Sequence, residues 1–383
     1  MITSLRDLES CRLWGNRMLP RCSFVLRYVF VLVIFAATIL MLTQVNTAPP
    51  RKSDNLRLPI ELELRSTKSM PTTLSINHGV HNVTESKVLV NQTHFDNHPF
   101  HYILNPTTIC HSDNIYVLIY VHTAPGNFKK RVSIRETWGS QQFLNKFSSR
   151  IVFLMGRTMQ KDTMLAITME SNQYGDIVQE DYIDSYRNLT HKANCALRWV
   201  TIYCSNAKLI LKTDDDIMVN MYHLLKYIHE KLETKSQPIK NLLLCNKWKR
   251  MHVIREKRSK WYVSKEEFPY DFFPAYCSGS AFVMSADVVQ KMELVSRKMP
   301  FFWIDDYYLT GMVFNTLQIK HTEFNKAYVL NQYVALNRYA NDTTNFLVFY
   351  HTGKMSTFYA LWKMIQLDHN NLLHNSKINT SST

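Results

Sequence analysis

Between residues 115 and 284 the chain alternates short β-branched or aromatic runs with helix-length stretches, and no other feature restricts its fold as much. Residues 115–121 (IYVLIYV) are apolar or aromatic throughout, as a strand buried on both faces requires. A turn containing Pro125 and Gly126 follows, and 129–138 has helical spacing. Residues 151–155 (IVFLM) predict a second strand stopped by Gly156. A helix over 162–174 is closed by Gly175, with a short strand over 176–178. Residues 189–204 predict a helix with apolar faces, and 208–212 (KLILK) the strand after it. The apolar run 281–284 and a helix after Ala286 continue the alternation. Such a pattern predicts an α/β domain with a mainly parallel sheet.

The strand at 208–212 runs directly into Asp214, Asp215 and Asp216. Three consecutive carboxylates repel one another and cannot all be buried unpaired. Ligands of open α/β sheets bind at the carboxyl ends of strands. A carboxylate pair there suits a hard divalent cation, Mg²⁺ or Mn²⁺, that in turn holds a diphosphate. A solvated acidic turn is the competing reading of the triplet alone, and Lys212 just before it is placed to neutralise it.

The ends of the chain add topology. Residues 28–43 (YVFVLVIFAATILMLT) are uninterrupted by charge, and 24–45 extends the run with only Arg27 and Gln44 as polar members. That length suits a helix crossing about 30 Å of hydrocarbon. Arg6, Arg12, Arg17, Arg21 and Arg27 lie before or at its start, so the short N-terminus is expected in the cytosol and the remainder in the lumen. The run is longer than the core of a cleaved signal peptide, so an uncleaved anchor is expected. Glycan acceptor sequons occur at Asn82, Asn91, Asn188, Asn341 and Asn379, all beyond the run. The boundaries follow as a cytosolic tail over 1–27, an anchor helix over 28–45, a Pro-, Ser-, Thr- and Asn-rich stem over 46–112, a catalytic domain over 113–370 and a loose polar tail over 371–383. Beyond the anchor are Cys110, Cys195, Cys204, Cys245 and Cys277, with no C-x-x-C pair. Zinc and thioredoxin-like chemistry are thus disfavoured, and two disulfides with one thiol are expected without a readable pairing. Cys195 and Cys204, nine apart on one helix, are poorly placed to join. The formal charge is +14, with a dense basic run from Lys247 to Lys260. No zinc-finger spacing or RNA-binding aromatic signature accompanies it, so nucleic acid is not an expected partner.

Seven collinear segments resemble the β-1,3-glycosyltransferases, the family of β-1,3-galactosyltransferases and β-1,3-N-acetylhexosaminyltransferases. They are HTAPGNFKKRVSIRETWG (122–139), FLMG (153–156), YGDIVQEDYIDSYRNLTHK (174–192), KTDDDIMVN (212–220), FPAYCSGSAFVMS (273–285), IDDYYLTG (304–311) and HTG (351–353). The resemblance implies a GT-A fold that binds a UDP-sugar through Mn²⁺, with Mg²⁺ as a substitute. It implies Asp216 as the direct metal ligand, Asp214 toward the ribose or sugar as well as the metal, Asp215 at the donor, and His351 as a late metal ligand, against a purely structural role for that histidine. It places Asp306, with Asp305 beside it, as the base of an inverting transfer to a terminal sugar of a glycoprotein or glycolipid. Galactose is the expected donor sugar, with N-acetylhexosamines as the alternative. A lumenal glycan-binding protein that has lost its chemistry would lack the metal or base carboxylates, and both sets are present. Residence in the Golgi membrane as a single-pass type II protein follows from family and anchor together, with a homodimer open. Arg131 and Arg135 are expected to reach uridine or diphosphate, while Trp138 is expected in the core. Relatives commonly have Glu-Asp-Val-Tyr or Glu-Asp-Val-Phe where this chain has Asp305-Asp306-Tyr307-Tyr308, so Tyr307 is expected to add bulk beside the base.

Overall fold

The computed structural model describes residues 99–111, 114–233, 237–344 and 346–381. The anchor expected at 28–45, most of the stem and the sequons at Asn82 and Asn91 lie outside them. Among the described residues no helix is long and apolar enough to cross a membrane.

The main sheet has eight strands: β1 (Tyr102–Leu104), β2 (Ile115–His122), β3 (Ser149–Arg157), β4 (Ile177–Ile183), β5 (Ala207–Asp214), β7 (Leu243–Trp248), β10 (Tyr276–Ser285) and β11 (Thr322–Glu323), in the order β1-β4-β3-β2-β5-β10-β7-β11. Strands β4, β3, β2 and β5 are parallel, whereas β10 is antiparallel to β5 and β7, and β1 antiparallel to β4. A smaller sheet joins β6 (Ile217–Val219), β12 (Tyr328–Val329) and β13 (Phe349–His351), and β8 (Met251–His252) pairs with β9 (Phe272–Phe273) as a hairpin.

The unbroken apolar run of β2 has a direct cause. Val117, Ile119 and Val121 point into one core, and Leu118 and Tyr120 into the other, so both faces of the strand are buried. Each fully buried aliphatic side chain contributes about 1.5–3 kcal/mol, which makes this central strand the anchor of both layers. Leu224 and Ile228 and the long C-terminal helix (Met355–Ser381) cover the first core, the latter through Phe358, Leu361, Trp362 and Ile365. The helix Leu189–Tyr203 covers the second with Ala196, Leu197, Trp199 and Val200, beside the helix Ala286–Ser296.

The α/β expectation stands, and each segment read as strand or helix from 115 to 296 is one. Two boundaries move. Residues 102–104, assigned to the stem, form β1 on the sheet edge, because Tyr102 and Leu104 find partners in β4 that no periodicity in the segment reveals. The tail expected to be loose from 371 onward continues the last helix to Ser381, since the turns before it are held on the core. Cysteine usage gives two disulfides, Cys110–Cys204 and Cys245–Cys277, and a buried free Cys195. Cys110–Cys204 closes a separation of 94 residues, worth about 4–5 kcal/mol in the loop-entropy account.

Candidate active site

Parallel strands deliver their carboxyl ends to one edge of the sheet, where a cleft of about 610 Å³ opens. Its walls include His122 from the end of β2, Asp214 from the end of β5, Asp216 from the turn after it, His351 from β13, and Asp305 and Asp306. The residues expected to carry the chemistry thus converge, although 135 positions separate Asp216 from His351.

The triplet divides its labour across the turn that joins β5 to β6, which holds Asp215 and Asp216. Asp214 and Asp216 face the cleft, whereas Asp215 is turned away and buried. The Asp215 carboxylate accepts hydrogen bonds from the Thr123 hydroxyl, the Asn127 amide and the Lys130 ammonium, each at 2.7 Å. Its donor-binding role is therefore corrected: Asp215 fastens the turn after β2, with its lone pairs already committed. Lys130 also reaches Asp216 Oδ2 at 3.3 Å. The Asp214 carboxylate accepts from buried Lys212 at 2.5 Å, and that ammonium donates as well to the Gly279 carbonyl. Lys212 thus neutralises the triplet, as its position in the sequence suggested.

Asp216 Oδ2 lies 3.7 Å from His351 Nε2, with both side chains about one-third exposed at 33%. Pairing of β13 with β6 sets His351 opposite Ile217, and the Thr352 amide and hydroxyl donate to the Asp216 carbonyl at 3.1 Å. Burial by itself would raise the Asp216 pKa, but the hydrogen bond and charge of His351 and Lys130 outweigh it and hold the carboxyl down to about 2. The same contact raises His351. An ionised carboxylate and an imidazole fit a borderline-hard cation such as Mn²⁺ or Mg²⁺. Among the described residues no group of three or more His, Cys, Asp or Glu side chains converges as a metal cage.

Asp305 and Asp306 open a helical run over 305–316. The Tyr307 backbone amide donates to Asp306 Oδ1 at 2.8 Å. Burial, then the adjacent Asp305 charge, push Asp306 up to about 7, and burial also raises Asp305 against the pull of Lys212 and Lys192. The two adjacent carboxyls interact as they titrate, each raised above the ordinary carboxylate range. Gly279 makes this seat: a Cβ there would stand 3.0 Å from Asp306 Cβ and 3.5 Å from Oδ2. His122 Nδ1 lies 4.0 Å from Asp305 Oδ2, and burial, with Lys212 and Lys192, keeps that imidazole neutral.

Other expectations change. Arg131 is fully buried and forms a two-point pair with Glu170 at 2.9 and 2.6 Å, donating also to the Ala124 and Pro125 carbonyls. Arg135 bonds Glu170 at 2.5 Å and Asp176 at 2.8 and 2.7 Å. Neither borders the cleft, and with their donors spent on carboxylates and carbonyls a nucleotide-side role has no structural basis. Trp138 is in the core as expected. Tyr307 turns from the cleft into an aromatic cluster, 4.5 Å from the Phe273 ring, because the helical turn carries its side chain behind the base. Of the sequons, the Asn188 amide donates to the Ile183 carbonyl at 2.8 Å and Thr190 is buried, whereas Asn341 is exposed; Asn379 lies where side chains are not described. Sequence reasoning missed Gly279, Lys130, Thr123 and Asn127. Their sole signal was membership of the motif strings, because each acts through a partner at least 27 positions away.

Comparison with known proteins places this geometry. The galactosyltransferase family profile matches residues 129–325. Human β-1,3-galactosyltransferase 5 is 31% identical over 218 residues, covering 57% of this chain and 68% of that protein. Human UDP-GalNAc:β-1,3-N-acetylgalactosaminyltransferase 1 is 34% identical over 229 residues, 57% of this chain and 66% of that protein. Mouse β-1,3-galactosyltransferase 2 is 28% identical over 318 residues, 82% and 72%. The chain spans about two thirds of the length of these relatives. Among solved structures, a glycosyltransferase involved in glycosylation of the major capsid of PBCV-1 aligns over 66% of this chain and 99% of its own at 10% identity and a TM-score of 0.34, a likeness too small to carry an argument. An α/β sheet with an acidic cleft at its parallel strand ends and these relatives define a glycosyltransferase. The chain belongs to the galactosyltransferase family, in its β-1,3-glycosyltransferase group.

Proposed function

We propose that this chain is an inverting β-1,3-glycosyltransferase that moves galactose from UDP-galactose to a terminal sugar of a glycoprotein or glycolipid glycan, on a GT-A fold. The observation that carries the reading is the seat of Asp306: a carboxylate held against Gly279 and raised to about 7, in one cleft with the Asp216–His351 pair. A base poised near neutrality is half ionised where it must work. The acceptor hydroxyl loses its proton to Asp306 while its oxygen attacks the anomeric carbon from the face opposite the UDP. The new C–O bond forms as the old one breaks, and the electron pair leaves with the diphosphate. Asp305 raises the basicity of its neighbour, and the amide of Tyr307 fixes the orientation of the carboxylate. Asp216 and His351 would hold Mn²⁺, whose contribution is charge stabilisation on the departing diphosphate. Lys130 lies beside Asp216 and balances the carboxylates when no cation is present.

The 34% identity with an N-acetylgalactosaminyltransferase favours UDP-GalNAc as the second donor reading. The apolar run at 28–45 supports a type II membrane anchor and a lumenal, Golgi-resident domain. UDP release should be measured with UDP-galactose, UDP-GlcNAc and UDP-GalNAc against galactose-, GlcNAc- and GalNAc-terminated acceptors, with Mn²⁺ and with chelator. Release that requires acceptor and Mn²⁺, and disappears in Asp306→Asn and in Asp216→Ala, is the expected result. Undiminished metal-stimulated transfer by both variants would sink the mechanism.

A further inference from the structure

The transfer chemistry leaves one strongly charged element unused. Residues 247–260 carry seven lysines and arginines against a single glutamate. Two of the seven are engaged. Lys247 lies 3.4 Å from Glu323, and Arg255 donates to the carbonyls of Val263, Ser264, Phe268 and Tyr270 at 2.6–2.8 Å. Those four bonds gather 263–270 around one guanidinium, and the β8–β9 hairpin closes the base of the loop. Lys249, Arg250, Lys257, Arg258 and Lys260 have no carboxylate partner among the described residues.

Of these five, Lys260 borders the cleft. Its ammonium sits 4.4 Å from the centre of the Trp261 ring and 5.5 Å from that of Tyr186. Trp261 is half-exposed at 50% and also lines the cleft. Tyr186 stands 6.1 Å from Trp303, the residue two places before Asp305, and its hydroxyl feels burial and then the charges of Asp305 and Asp306. Trp303 Nε1 is buried without a hydrogen-bond partner. This aromatic wall therefore adjoins the base, and a single ammonium is set into it. Flat aromatic faces suit the C–H faces of a sugar ring, and an exposed ammonium beside them at the cleft edge is free to pair with an anion held against that ring.

We propose that Lys260 and Trp261 form an acceptor subsite for a saccharide bearing an anionic group, a carboxylate or a sulfate, so that acidic glycans are the preferred acceptors. The proposal rests on the transferase reading above. It is tested with the full chain in detergent micelles, comparing wild type, Lys260→Met, Trp261→Ala and the outward-facing double variant Lys257→Met/Arg258→Met. The acceptors are a neutral disaccharide, the same core carrying a glucuronate, and the same core carrying a sulfate ester. Acceptor-dependent UDP release gives KM, and tryptophan quenching in Asp306→Asn gives binding without turnover. Wild type should bind the acidic acceptors about tenfold or more tighter than the neutral one, the expected strength of a charge-assisted contact. Lys260→Met should erase that preference and leave donor KM unchanged, while Trp261→Ala weakens all three acceptors. The ratio of glucuronate to sulfate binding identifies the anion. Equal use of neutral and acidic acceptors overturns the proposal. So does a rise in donor KM in Lys260→Met, which would place the ammonium on the diphosphate. Loss of preference only in the double variant also overturns it, in favour of a surface field such as one meeting an anionic membrane. Acidic preference in binding without any UDP release upholds the subsite and counts against the transferase reading instead.

Discussion

Replacement of Asp215 by alanine separates architecture from chemistry within the acidic triplet. The substitution removes a buried carboxylate that accepts from Thr123, Asn127 and Lys130 at 2.7 Å each. Hydrogen bonds to a charged group contribute roughly 1.5–3 kcal/mol apiece. The Lys130 side chain is 35% exposed and keeps Asp216 at 3.3 Å, so its share is heavily screened. Thr123 is buried and keeps only a long 3.5 Å contact to the Ala124 carbonyl, and Asn127 keeps no carboxylate. The sum is about 3–5 kcal/mol of lost stability. For a domain of this size, that lowers the melting temperature by on the order of 10 °C. Asp216→Ala is the matched control, since it gives up only partly exposed contacts to Lys130 and His351. Its melting point should stay within about 2 °C of wild type while transfer falls about 10²–10³-fold. Near-UV circular dichroism during thermal unfolding, paired with UDP release, measures both quantities. The reasoning is refuted if Asp215→Ala melts with wild type, or if Asp216→Ala is the less stable of the two.

Four further outcomes follow from the same geometry. Since the ionised form of Asp306 is the base and its proton leaves near pH 7, the transfer rate should rise through about pH 7 and level above it, with about one hundredth of the plateau at pH 5; a flat profile from 5 to 8 would remove Asp306 from the role. A carboxyl whose folded value is raised stabilises the fold at low pH and loses that contribution as pH climbs through the folded value, so Asp306→Asn should melt higher than wild type at pH 8, with the difference vanishing near pH 3. Gly279→Ala inserts a methyl 3.0 Å from Asp306 Cβ and should lower kcat about tenfold or more, with the melting point little changed and donor KM intact; an unaltered kcat would show that the seat tolerates displacement. Arg135→Ala strands Glu170 and Asp176 with fewer partners and should cost about 3 kcal/mol in thermal unfolding, with the donor KM of the surviving folded enzyme unchanged; a selective rise in donor KM would restore the nucleotide role.

The layers of the fold were legible because burial leaves a periodic trace. In β2 successive residues enter opposite cores, so the strand reads as one apolar run, and KLILK leads into the triplet for the same reason. Asp214 and Asp216 were legible as carboxylates closing an apolar strand, whereas Asp305, Asp306 and His351 came from the resemblance to the family; one cleft gathers all five. Which way a side chain faces was not legible. Asp215 sits between two cleft residues and serves the turn after β2, and Arg131 and Arg135 serve Glu170 and Asp176. Each of these assignments depends on a partner more than thirty positions away, and local sequence carries no record of distance.

By itself, then, the sequence determined the α/β alternation, the family, the acidic chemistry and the number of disulfides, since all four follow from residue type and short-range order. Tertiary structure alone decided the pairing of Cys110 with Cys204 and Cys245 with Cys277, the conversion of 102–104 from stem to edge strand, and the seat that Gly279 makes for Asp306. It also decided that Lys260 of the basic run borders the cleft, that Arg255 is tied into its own loop, and that Lys257 and Arg258 are exposed. The physical reason is common to all: contacts made across the sheet depend on register and close approach, which exist only once the strands have paired.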